Sequence, residues 1–140
     1  MAKTHVGYLL SDVLRLVRKK FQNDPEIGSL TLAQAKALSV IARNEGIKQV
    51  DLAELLEIKP MTVVRVIDQL VEEKLVKRCP SPSDRRAHLI YSLPPAKVQL
   101  EVVQGVSNRV WDIGLDGLTK EQKEQFLSTL DHIHQNLLSN

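Results

Sequence analysis

A single cysteine, Cys79, gives this 140-residue sequence no means of building an internal disulfide framework, and such scarcity fits a reducing compartment. No apolar run approaches the roughly 20 residues that a bilayer-spanning helix needs, and residues 1–20 lack the layout of a signal peptide. The expectation is a cytoplasmic protein with no membrane partner. Also missing are a phosphate-cradling glycine loop, a dinucleotide fingerprint and a nucleophile elbow. Glu72 and Glu73 are adjacent on a helix and diverge, so they do not form a catalytic carboxylate pair. His132 and His134 are two apart and point to different helix faces, while His5 and His88 have no partner at a ligand spacing. No enzyme, metal site or cofactor is expected. There is no internal repeat and no low-complexity tract.

What remains is an ordinary globular composition, 43% hydrophobic and 26% charged, in a length that fits one domain with a real core. The formal net charge of +2 is too small to name a partner, but its distribution is uneven. Lys59, Arg65, Lys74, Lys77, Arg78, Arg85 and Arg86 stand against only Asp68, Glu72, Glu73 and Asp84 over residues 59–86. This stretch carries +3 and leaves −1 for the rest of the chain. Such a run is either a solvated face or an electrostatic footprint for nucleic acid.

Val6, Leu9, Leu10, Val13, Leu14, Val17 and Phe21 recur at helical spacing, and Asp24-Pro25 ends that helix near Asn23. Thr31-x-x-Gln34 is a capping box that opens a second helix, closed by Asn44-Glu45-Gly46. Two short helices follow, Val50 to Leu56 and Pro60 to about Glu73. Leu75 to Arg78 reads as a strand, Pro80 to Asp84 as a turn and Leu89 to Leu93 as the return strand of a hairpin. Pro94-Pro95 opens a long fifth helix carrying Val98, Val102, Val106, Val110 and Ile113. A second capping box, Thr119-x-x-Gln122, leads a sixth with Phe126, Leu130, Ile133 and Leu137 on one face.

The first, fifth and sixth helices have apolar stripes too broad for one neighbour, since Leu100, Val103 and Trp111 widen the fifth. That predicts a symmetric dimer, with Val6, Leu9, Leu10, Val13, Phe126, Leu130, Ile133 and Leu137 in its interface. Trp111 itself reads as core, interface or effector pocket. In the fourth helix Val63, Val66, Ile67 and Leu70 form a buried stripe, which turns Met61, Thr62, Arg65 and Gln69 outward. A helix pair of this kind sets its second member into a DNA major groove, where Arg65 is able to grip guanine and Thr62 a phosphate or a thymine methyl.

Leu30-Thr31-x-x-Gln34, Val50-x-Leu52-Ala53, Pro60-x-Thr62-Val63-x-Arg65-x-Ile67-Asp68-x-Leu70, Leu75-Val76-x-Arg78 and Ser83-Asp84-Arg85-Arg86 together resemble the MarR family of bacterial regulators. The resemblance implies a mainly α fold: a winged helix-turn-helix over residues 30–94, a small β-hairpin wing, and long terminal dimerisation helices over 1–24 and 95–140 of a single 1–140 domain. It implies DNA contacts from Pro60, Met61, Thr62, Arg65 and Gln69 on the helix, and from Ser83, Asp84, Arg85, Arg86 and His88 on the wing. Arg86 would enter the minor groove with Asp84 holding it in place, which accords with the pull of a narrow A·T groove on a guanidinium. The partners implied are a pseudopalindromic double-stranded operator, a second copy of the chain, and an aromatic or phenolic effector lodged between the dimer and DNA-binding lobes. The reading is a repressor modulated by that effector. A dimeric helical adaptor without DNA binding and a Cys79-based redox regulator are the alternatives, although family redox sensors carry their cysteine near the N-terminus, where none occurs here.

The pattern has departures. Lys74 and Glu57 stand where glycine is usual, and a left-handed residue there would cost about 1 kcal/mol relative to glycine, so differently built helix ends are expected. Ser92 to Lys97 blurs the family's motif after the second strand, and a one-residue slip in register is expected there.

Overall fold

A computed structural model of the chain describes residues 2–139, with side chains from residue 5 onward, so the outermost ends of the 1–140 span lie outside the described residues. The elements are α1 (Ala2–Gln22), α2 (Leu32–Arg43), β1 (Ile47–Lys48), α3 (Gln49–Leu56), α4 (Pro60–Glu72), β2 (Val76–Pro80), β3 (His88–Ser92), α5 (Pro94–Gly114) and α6 (Lys120–Ser139).

Both capping boxes form. The Gln34 amide N–H donates to Thr31 Oγ1 at 3.1 Å and the Thr31 N–H to Gln34 Oε1 at 3.0 Å. Thr119 and Gln122 repeat the exchange at 2.9 and 3.1 Å. Each cap contributes about 1 kcal/mol by satisfying N–H groups that the first helical turn leaves open.

The core is where α2, α3 and α4 meet the sheet. Leu38, Ile41, Leu52, Ile67, Leu70 and Ile90 are all fully buried there, together with Val63 and Val76. The i, i+3, i+4, i+7 stripe of α4 is thus wholly inside, and each such side chain gains about 1.5–3 kcal/mol from leaving water. Ala53 is buried at the α3–α4 crossing.

The sheet has three antiparallel strands in the order β1-β3-β2. In the hairpin Val76 lies opposite Ser92, Arg78 opposite Ile90 and Pro80 opposite His88. Relative to the sequence reading, β2 starts one residue later and runs through Cys79 and Pro80, a proline tolerated because the strand is at an edge. The third strand, Ile47–Lys48, pairs Ile47 with Ile90. It follows a tight turn in which Gly46 takes a positive φ of 81°, lies against the Tyr91 ring and donates its N–H to the Ile90 carbonyl at 2.9 Å.

The expected departure at Lys74 and Glu57 is corrected. Both helix ends have the usual left-handed closure, with φ 60° at Lys74 and 53° at Glu57. At each end the six-to-one and five-to-two bonds of a Schellman motif are present: Leu75 N–H to Leu70 O with Lys74 N–H to Val71 O, and Ile58 N–H to Ala53 O with Glu57 N–H to Glu54 O. The satisfied carbonyls and the burial of Leu70 and Leu75 outweigh the strain of a side chain in the left-handed region.

Outside this lobe, α1 crosses α5 and α5 packs on α2. The α1–α2 turn is tied to α5 by Arg109, which reaches Asp24 at 3.0 Å and Glu26 at 3.4 Å. Asp24 accepts the Glu26 N–H at 3.0 Å, and this bond, then Arg109, holds its carboxyl below the usual carboxylate range. Helix α6 buries no residue in the single chain, although Leu130 is half-buried. Among the described residues, no helix is long and apolar enough to cross a membrane.

Candidate nucleic-acid interface

Helix α4 begins at Pro60, and its N-cap, Lys59, makes no side-chain capping bond, so the positive end of the helix stays open to solvent. Burial of the valine–isoleucine–leucine stripe fixes its rotation. Met61 is consequently 75% exposed, and Thr62 and Arg65 face water beside it. The Arg65 side chain makes no hydrogen bond or ion pair among the described residues. Gln69 lies one turn further along, and its carbonyl oxygen accepts a hydrogen bond from the Gln34 amide of α2. Of the five helix residues expected at DNA, Gln69 is therefore the one already committed to the fold.

The wing is the loop between β2 and β3. Ser81 N–H donates to the Ala87 carbonyl at 3.1 Å, and Ala87 N–H to the Asp84 carbonyl at 3.2 Å, which closes a compact turn. Ser83, Asp84, Arg85 and Arg86 are all exposed on it, as is His88 at the start of β3. Asp84 Oδ1 accepts the Arg86 backbone N–H at 2.9 Å. The carboxylate thus secures the turn, whereas the Arg86 guanidinium makes no ion pair among the described residues. The wing meets α3 and α4 across a cleft lined by Lys48, Gln49, Pro60, Asp84, Arg86 and His88, so the start of α4 and the wing arginine open to one side.

Sequence reasoning missed three residues here. Lys48 and Gln49 line the cleft because the short β1 delivers the start of α3 to it. Arg78, on β2, reaches across to two helices: Nη1 lies 2.6 Å from Asp68 Oδ1, Nη2 donates to the Val64 carbonyl at 3.2 Å, and Nε donates to Gln49 Oε1 at 3.2 Å. Both Arg78 and Asp68 fall inside the motifs that carry the resemblance, but their meeting is visible only in the fold. Cys79 is half-buried in the same strand. Among the described residues, no group of three or more metal-ligating side chains comes together.

Two helices joined by a tight turn, with a three-stranded sheet extended into a loop beside them, define a winged helix-turn-helix. The family model of the MarR family matches residues 30–88, somewhat less than half of the chain. A transcriptional regulatory protein assigned to the hcr operon of Thauera aromatica is 40% identical over 58 residues, which cover 41% of this chain and 35% of that protein. The match therefore spans about a third of that relative's length. The crystal structure of MarR is similar over 96% of this chain and 98% of its own, with a TM-score of 0.88 and 24% identity. The transcriptional repressor CouR, solved on a 23-mer DNA duplex, is similar over 91% of both chains, with a TM-score of 0.77 and 27% identity.

Proposed function

We propose that this chain is a cytoplasmic, sequence-specific regulator that binds a pseudopalindromic double-stranded operator as a symmetric dimer and represses transcription. The observation that carries the reading is the joint exposure of Arg65 on α4 and Arg86 on the wing, each free of an ion pair among the described residues. Two exposed, unpaired guanidiniums, one on the reading helix and one on the wing, suit a ligand that offers a major-groove base edge and an adjacent minor groove together. Repression is the activity of the similar CouR, whose fold this chain shares.

Residues 30–94 form the DNA-binding lobe in this reading, and 1–24 with 95–140 join the subunits. Val6, Leu9, Leu10 and Val13 on α1 and Phe126, Ile133 and Leu137 on α6 are 37–74% exposed. A 20-residue helix with nothing buried calls for a partner, and an isologous second copy covers both stripes at once. Between α1, α5 and α6 runs an apolar groove lined by Val13 and Val17, by Trp111, Leu118 and Phe126, and edged by Lys20. A flat aromatic or phenolic anion suits these walls and that ammonium, and would bias the spacing of the two reading helices by binding better to one spacing than to another. This groove lies among the dimerisation helices themselves, rather than between them and the DNA-binding lobe.

Selection of duplexes from a random pool by the purified protein tests the reading. Enrichment of a pseudopalindrome is expected, and Arg65→Ala should lose about 1–3 kcal/mol on it while relaxing the preference at one base pair per half-site. A pool that returns no enriched sequence would favour the adaptor reading.

A further inference from the structure

The wing and the reading helix have to enter neighbouring grooves together, so the angle between them matters as much as the residues at their tips. Hydrophobic packing alone defines such an angle loosely, since aliphatic contacts carry little direction. Directional contact comes from Arg78. Its side chain is 25% exposed and reaches out from β2, the strand that leads into the wing. The fork holds Asp68 with one arm and the Val64 carbonyl with the other, two groups one turn apart on α4, while Nε holds Gln49 at the first turn of α3. One planar group thus joins wing stem, reading helix and the helix before it, in a geometry that a lysine's point charge does not reproduce.

We propose that Arg78 is a positioning residue that fixes the wing against the reading helix and thereby sets sequence discrimination at the DNA interface. This rests on the DNA-binding reading above. Arg78 stands with its charge against Asp68, so its contribution lies in geometry and not in attraction to phosphates. Arg65 and Arg86 touch DNA; Arg78 decides whether they do so in register.

The test compares wild type with Arg78→Gln, Arg78→Lys and Asp68→Asn on two probes, a duplex enriched by wild type from a random pool and an unrelated duplex of equal length. Thermal unfolding reports the fold of each variant, and Arg78→Lys with Asp68→Asn carry the test if the glutamine variant is unstable. All three should weaken binding to the enriched duplex about ten- to a hundredfold. Affinity for the unrelated duplex should stay within about twofold of wild type, with an unchanged salt slope. Specific binding by Arg78→Lys within about twofold of wild type overturns the proposal, because a point charge would then suffice. So does an equal loss on both duplexes with a shallower salt slope, which marks a phosphate contact. If the wild type enriches nothing, the DNA-binding reading itself has failed; if it enriches a sequence that the variants bind equally well, only the role of Arg78 has.

Discussion

Asp84 secures Arg86 through the main chain: its Oδ1 accepts the Arg86 N–H at 2.9 Å, and the guanidinium is left free of ion pairs among the described residues. The carboxylate therefore shapes the turn that presents the arginine instead of neutralising it. An amide oxygen accepts the same bond, so Asp84→Asn should bind DNA nearly as wild type, while Asp84→Ala loses about 1 kcal/mol. Equilibrium titration by fluorescence anisotropy separates the two, and an asparagine variant as weak as alanine would mean that the charge itself acts.

Removing the arginine should cost more. Arg86→Ala is expected to weaken binding to the enriched duplex by about 1–3 kcal/mol, with fold and oligomeric state unchanged. A gel-shift titration showing wild-type affinity would remove the wing from the interface.

The left-handed residues at the ends of α3 and α4 make a prediction about stability alone. Lys74→Gly and Glu57→Gly relieve a side chain held at φ 60° and 53°, at the expense of a more flexible unfolded chain. The difference should leave each variant up to about 1 kcal/mol more stable by denaturant unfolding. A loss of stability at either site would show that its side chain makes a compensating interaction.

Asp24 gives a pH dependence. Its folded-state pKa is lowered, first by the Glu26 N–H and then by Arg109, so its contribution is complete above the unfolded value of about 3.9. It disappears as pH falls through the depressed folded value. The gap in melting temperature between wild type and Asp24→Asn should accordingly be open near neutral pH and close in acid. A gap that widens on acidification would reverse the assignment.

How much of this was readable beforehand differs by residue, for physical reasons. The caps at Thr31 and Thr119 and the stripe from Val63 to Leu70 are local patterns, and each appears where it was read. The two-residue β1 has too little sequence for a period to emerge, and only pairing with Ile90 makes it a strand. Lys74 and Glu57 misled because the propensity of one residue was weighed without the carbonyls and leucines that close the helix around it. Gln69 shares the exposed row of Arg65, yet Gln34, 35 positions earlier, engages its amide. Arg78 reaches Gln49 across 29 positions, a contact that no local pattern announces.

The central claim, that two copies present paired reading helices and wings to one operator, is tested most directly by a hydroxyl-radical footprint on the enriched duplex, with stoichiometry from sedimentation. Two chains per duplex and two symmetric protected patches with centres about 10 bp apart are expected, since equivalent major-groove faces recur each helical turn. One chain per duplex, or a single patch without a dyad, would contradict it.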